Sequence, residues 1–476
     1  GGDGNDTLEG GAGADIMSGG NGSDTASYIN SNAAVSVYLE YNIALGGDAQ
    51  GDTFSSVENL IGSDFDDALY GDSSANEIYG GLDADSLSGG DGNDTLFGED
   101  GDDLFLAGAG ADIINGGAGF DRADYYDSAV AVTVNLLTNI NTGGSAQGDT
   151  LTSIEMVAGS FYDDILTGDN LHNTIWGFNG DDQIFGGDGN DTLYGMEGNN
   201  LLDGGEGDDL LIGSTYPSAP ETLIGGNGSD TITYGYQNIA VTINLTTGIG
   251  GGMAAGDTYT GIENIVGSWG DDTLTGDAND NIIWGNDGYD TIDAAGGNDI
   301  VYGESGNDII TFTSGADFLS GGGGDDVFYV DGTTYMSGGV NAVTGTSGAW
   351  IDGEDTFHGN YSPSDYDQVA FNIGSGAILE SDMLQALHGI DHIDFSAVGV
   401  NTNLLLSADD ISNLTSRGLG ASNFLDITVD GDDVFNYDAP VGGFVSPTID
   451  INGDTIYEYY DSSNNLIASL GLHLVA

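Results

Sequence analysis

Residues 89–97 read GGDGNDTLF, and residues 186–194 (GGDGNDTLY) and 1–9 (GGDGNDTLE) repeat them almost unaltered. The pattern is Gly-Gly-x-Gly-x-Asp-x-U-x, with U a large apolar side chain. Its glycines can take φ > 0 and let one backbone approach another closely. Positions seven to nine form a short strand in which U faces one way and its neighbours the other. Three residues cannot hold a strand alone, so units must stack and bury the U row together, as in a solenoid. Stacking also repeats the position-six carboxylate at a fixed spacing, and periodic carboxylates demand periodic cations.

Counting by nines gives four arrays. The first covers 1–27, with Asp6, Asp15 and Asp24 at position six. The second covers 62–124, with Asp67, Asn76, Asp85, Asp94, Asp103, Asp112 and Asp121. The third covers 159–233, with Asp164, Asn173, Asp182, Asp191, Asn200, Asp209 and Asp230, and one of its loops, around Pro217, is longer. The fourth covers 267–329, with Asp272, Asn281, Asp290, Asp299, Asp308, Asp317 and Asp326. Position eight is almost always apolar, as at Leu69, Ile184, Leu193 and Val301. All the aspartates just named are candidate metal ligands.

Composition agrees. The 476 residues include 84 Gly, 78 acidic residues and only 2 basic ones, Arg122 and Arg417, for a formal charge of −76. A charge of that size favours disorder in a chain of low hydrophobicity, but 39% of this chain is apolar and its acids are periodic. The charge therefore reads as a cation load neutralised on folding. Nucleic acid is excluded as a partner, because phosphate binding needs a Lys/Arg surface. No apolar run is long enough to span a membrane. With no Cys, disulfides are excluded. The chain starts inside an array and is expected to be the C-terminal part of a longer polypeptide.

The nonapeptide resembles the repeat of the RTX (repeats-in-toxin) calcium-binding proteins. That resemblance implies an all-β fold, a right-handed parallel β-roll in which two units make one coil. It also implies Ca2+ between successive turns, held by position-six carboxylates and backbone carbonyls of the Gly-rich loops. Calcium takes about six to eight oxygens, and such loops offer only oxygens. Weak extracellular calcium modules match a secreted, cell-surface location.

Three interruptions separate the arrays, at 28–61, 125–158 and 234–266. Each carries a half-buried strand pattern (AVSVYL at 34–39, AVTVNL at 131–136, AVTINL at 240–245). Each then has Gly-Asp-Thr and an acid six residues later: Asp52/Glu58, Asp149/Glu155 and Asp257/Glu263. A longer rung that continues the roll is one reading, and a distinct calcium site or polymer-contact loop the other. The array restarts after each interruption with one template, whose second unit has Asn at position six (Asn76, Asn173, Asn281). Asn offers one neutral oxygen, so these seams are expected to bind metal weakly or not at all.

Residues 330–476 lack the nonapeptide and are expected to form a mainly β cap, with a helix from Ser381 to about Gly389 and another from Ser407 to Gly418. Asn452-Gly453 and Asn464-Asn465 read as hairpin turns. The stretch from LLLSADDISNL to FLDITVDGDDVFNY resembles the terminal modules of type I-secreted adhesins, which implies an export signal here. His388 and His392 are four apart, but Gly389 lies between them and no HExxH glutamate is present, so they read as ordinary structural histidines. No GxSxG elbow or thiol nucleophile occurs, and a non-enzymatic role is expected. The expected function is a calcium-folded structural or adhesive element at a bacterial surface or matrix. The alternatives are a self-assembling surface-layer or fibre subunit, and the accessory module of a larger RTX enzyme such as an alginate epimerase or protease.

Overall fold

The computed structural model describes residues 1–331, apart from 107, 215–218, 313–316 and 325, together with a set of strands between 350 and 475. It divides into two compact units. Unit 1 comprises Gly1–Asp230 with Asp257–Gly261, and unit 2 comprises Thr231–Gly256 with Ile262–Ala476.

Each unit is a parallel β-roll. Positions seven to nine form the strands, as in Thr192–Tyr194, whose middle residue alone is buried. Ser86 pairs with Leu104 and Thr95 with Ile113, so two nine-residue units make one coil of 18 residues. Successive units lie on alternate faces. The position-eight residues Leu69, Leu87, Phe105, Ile184, Leu193 and Val301 are all 0% exposed. Each such burial contributes about 1.5–3 kcal/mol. That row is what holds strands of three residues in place.

Unit 1 contains three long stacks of strands. The first runs Thr7–Leu8, Thr25–Ser27, Asn59–Ile61, Glu77–Leu82, Thr95–Asp100, Ile113–Ala118 and Thr150–Thr152. The second starts at Ser36–Tyr38 and continues through Ala68–Tyr70 and Arg122–Asp124 to Leu210–Ile212. The third starts at Thr133–Asn135 and ends at Thr258–Thr260.

The interruptions are where stacks change. At the first, the short stack of Ile16–Ser18 ends on Thr53–Ser55, the second stack begins, and the first stack runs past through Asn59–Ile61. At the second, the first stack ends, the third begins, and the second runs past through Met156–Ala158. The strand of the Gly-Asp-Thr motif closes an old stack, and the AVSVYL-type strand opens a new one. Between them the chain folds back, as when Ile43–Leu45 pairs antiparallel with Ser36–Tyr38. The interruptions are thus longer rungs that continue the roll while exchanging one face.

Parity decides which face is exchanged. The second array has seven units, so consecutive interruptions strike opposite faces. The third array spans 75 residues, eight units plus the longer loop, so the second and third interruptions open and close the same third stack.

Unit 2 repeats the pattern, with one stack from Val241–Asn244 to Val327–Asp331 and another from Thr231–Thr233 to Phe318–Gly323. Parallel pairing runs on beyond the last nonapeptide, with Phe318 opposite Trp350 and Val327 opposite Gln368. The end is antiparallel: Phe444–Ile449 pairs with Thr455–Tyr460, and that strand with Leu466–Val475, as the two hairpin signals require.

The expected helix ending near Gly389 is corrected at its last turn, where Leu387–His388 is a strand. His388 pairs opposite Asp352 and His392 opposite Gln368, on two separate strands. Strand pairing fixes those residues more strongly than local helix propensity does. The rest of that helix and the helix expected after Ser407 lie outside the described residues.

Candidate metal centre

The position-six side chains form hydrogen-bonded columns. The Asp85 N–H donates to Asp103 Oδ1 at 2.8 Å, and the Asp103 N–H to Asp121 Oδ1 at 2.9 Å. The same link joins Asn76 to Asp94, Asp94 to Asp112, Asp164 to Asp182, Asp191 to Asp209, Asp272 to Asp290 and Asp299 to Asp317. Each carboxylate thus reaches back one coil and satisfies a backbone donor there. A second, exposed ladder runs the other way, with the Ala84 N–H donating to Asp66 Oδ1 and the Ala111 N–H to Asn93 Oδ1. This explains the Asn or Asp common at position five.

The other carboxylate oxygen differs. Among the described residues, Oδ2 is buried and has no hydrogen-bond partner at Asp24, Asp85, Asp94, Asp103, Asp112, Asp121, Asp182, Asp191, Asp209, Asp290, Asp299, Asp308 and Asp317. A buried unpaired carboxylate oxygen is costly. Burial first, then neighbouring carboxylates, push Asp85 up to about 8 and Asp290 to about 7, while hydrogen bonding to the preceding coil pulls the other way. Asp308 reaches about 9 from burial and the charge of Asp326. Asp230 and Asp326 stand in the same columns, their Oδ1 atoms accepting from Asp209 and Asp308. Asp6 and Asp15 lie half-buried in the first coil.

The orphaned oxygens face carbonyls. A methyl group added at Gly98 would overlap both Asp103 Oδ2 and the Gly116 carbonyl oxygen. At Gly204 it would overlap Asp209 Oδ2 and the Gly225 carbonyl, and at Gly303 Asp308 Oδ2 and the Gly321 carbonyl. In these three coils Gly at position one leaves that cradle open. No group of three His, Cys, Asp or Glu side chains converges among the described residues. A cation here would therefore draw most of its ligands from carbonyls, an all-oxygen set suited to calcium.

The family model of the RTX calcium-binding nonapeptide repeat matches residues 1–26, 52–87, 88–123, 158–193, 185–215, 220–235, 257–292, 275–310 and 302–332. The chain belongs to the RTX calcium-binding repeat family. Comparison with curated proteins found no match. Of the unmatched stretches, 27–51, 124–157 and 236–256 fall on the interruptions, and the others are the longer loop and the residues after 332. The matches resume at Asp52 and Asp257, where the RTX chain rejoins its columns.

In the first two interruptions the paired acids supply the missing column members. Asp52 Oδ1 accepts from the Asp15 N–H, and Glu58 Oε2 from the Asp24 N–H. Asp149 and Glu155 do the same for Asp112 and Asp121. The second oxygens of Asp52 and Asp149 accept from the buried hydroxyls of Tyr28 and Tyr125. Both oxygens of these aspartates are thus occupied.

The restart template is closed differently. Asp67 Oδ1 accepts from the Val35 N–H and the Ser63 hydroxyl, while its Oδ2 accepts from the Ser63 N–H. Asp164 has the same three donors in Val132 and Ser160, and Asp272 in Val241 and Ser268. Asn76 Oδ1 accepts from the Asp72 N–H, and its amide donates to the Glu58 carbonyl. Asn173 and Asn281 repeat this with Asp169 and Asp277.

The backbone at position two causes the difference. In the coils with orphaned oxygens its φ is positive wherever position two is described, whether Gly (Gly81, Gly90, Gly187) or another residue (Glu99 at 77°, Phe178 at 74°, Asn286 at 74°). In the restart template position two is Ser63, Asp72, Ser160, Asp169, Ser268 or Asp277, none at positive φ. Its N–H then points at the position-six side chain. A left-handed conformation at a non-glycine residue costs about 1–2 kcal/mol, and the open coils bear that cost.

Glu221 was missed by the count of nines. It stands at position six beyond the longer loop, donates its N–H to Asp257 Oδ1, and accepts from Asn200 and the Ser214 N–H. Burial, then Asp257, push its carboxyl up to about 8. An Asp-only search could not find it; its nine-residue distance from Asp230 could have.

Proposed function

We propose that this RTX roll is a secreted structural or adhesive element of a bacterial surface or matrix that folds when it meets calcium outside the cell. The observation that carries this reading is the repeated buried Oδ2 facing a glycine carbonyl. Without a cation these columns set unpaired carboxylates one coil apart, and the metal's binding free energy becomes folding free energy. A chain in low cytosolic calcium then stays unfolded for export. Asp24, Asp85, Asp94 and their counterparts are the ligands in this reading, and calcium replaces the proton that burial otherwise favours. Residues 330–476 serve as cap and export signal. Their support is the parallel pairing past Phe328 and the adhesin-like sequence.

Two further observations bear on the role. Arg122, the single basic residue of the arrays, is paired with Asp124 and lies over the Trp176 ring at 5.7 Å. It is thus engaged within the roll, which disfavours direct contact with an anionic polysaccharide and the accessory-module alternative. No helix among the described residues is long and apolar enough to cross a membrane.

The test is a calcium titration followed by far-ultraviolet circular dichroism and light scattering. A coil-to-β transition to a monomer supports the surface-element reading. A transition to large assemblies moves the reading to a self-assembling layer or fibre. No transition overturns calcium-driven folding.

A further inference from the structure

We propose that each interruption places a calcium-free, hydrogen-bonded coil in both columns, so that the calcium ladder is divided into separate segments. The inference rests on calcium binding by the open aspartates and concerns the coils where the residues do not fit a cation. Two linked features mark them. Every side-chain oxygen of Asp67, Asp164 and Asp272 already accepts from the protein. The residue at position two has left the positive-φ conformation that opens the cradle elsewhere.

The neighbouring coils supply the contrast. Asp85, Asp182 and Asp290 lie one coil further along the same columns, with the same Oδ1 link and an orphaned Oδ2. A cation entering at Asp164 must break the Ser160 N–H bond and drive Ser160 into a left-handed conformation. At Asp182 it breaks nothing and removes an unsatisfied charge. In the second column Asn173 provides no charge, and its Oδ1 is held by the Asp169 N–H at 2.7 Å. Both columns are therefore closed at the same level of the roll. The interruptions then act as end plates, rigid by hydrogen bonding, between blocks that calcium assembles.

The experiment compares two triple variants of the full chain. One carries Asp67→Asn, Asp164→Asn and Asp272→Asn; the other carries Asp85→Asn, Asp182→Asn and Asp290→Asn. Bound calcium per chain is measured by equilibrium dialysis at saturating calcium, with circular dichroism confirming the β-fold. The first variant is expected to bind as many ions as the unmodified chain, and the second one fewer for each substitution. Equal loss in both overturns the division of the ladder. No loss in the second instead overturns the assignment of open aspartates as ligands, so the two failures are distinguishable. Anomalous scattering from calcium in crystals of the unmodified chain tests the same point without a variant. A peak is expected beside Asp182 and none beside Asp164, and a peak beside Asp164 overturns the proposal.

Discussion

Asp67 and Asp85 stand one coil apart in the same column, equally buried and linked to each other by a hydrogen bond. Yet three donors surround Asp67, while one oxygen of Asp85 has none. Burial raises the carboxyl of both, but at Asp67 the Ser63 and Val35 bonds oppose it. One fold thus builds two kinds of coil from nearly the same nine residues. The open kind leaves its charge for a cation, and the closed kind spends it on its own backbone.

The largest expected effect separates the two kinds through charge. In chelator, burial pushes the carboxyls of Asp94, Asp85 and Asp308 up to about 6, 8 and 9 in the folded chain, against 3.8 when unperturbed. The folded state therefore holds protons that the unfolded chain has released. Stability from this source is present in acid and is lost as pH rises through about 6 to 9. Circular dichroism in chelator should show β-structure rising as pH falls from 8 to 5, with protons standing in for calcium. No gain would mean that the open coils are not what keeps the metal-free chain unfolded.

An intermediate effect belongs to the end plates. Tyr125→Phe leaves the second oxygen of Asp149 without its donor and should cost about 1–3 kcal/mol. Because hydrogen bonding holds this seam, denaturant unfolding should show the same loss at moderate and at high calcium. A loss that disappears at high calcium would place a metal at the seam.

The smallest effect tests position two. Glu99→Gly removes a left-handed non-glycine residue from an open coil and should stabilise the calcium-bound chain by about 1 kcal/mol. Ser160→Gly in a closed coil removes the hydroxyl donor to Asp164 and frees the backbone, so its effect should be destabilising. The comparison fails if thermal unfolding gives both substitutions the same sign.

Periodicity made much of this legible in the chain alone. The spacing of Leu69, Leu87 and Phe105 specifies a buried row because strand side chains alternate, and the Asp at six marks the columns because it keeps step with that row. The Gly-Asp-Thr acids were visible as a pattern, but their roles were not, since Asp52 and Glu58 meet different columns only after the chain has folded back. Glu221 escaped because a longer loop shifts the count and because Glu replaces Asp. Leu387–His388 shows the opposite case, the expected last turn of a helix replaced by a strand through distant pairing.

By itself, the sequence determined the repeat and the buried apolar row, because each depends on short-range periodicity, and the resemblance of that repeat implied the family and its two-unit coil. Only the tertiary structure decided which carboxylates are open and which stack ends at each interruption. Those outcomes depend on the sign of φ at position two and on partners 18 to 37 residues away, as between Asp67 and Asp85 or Asp112 and Asp149.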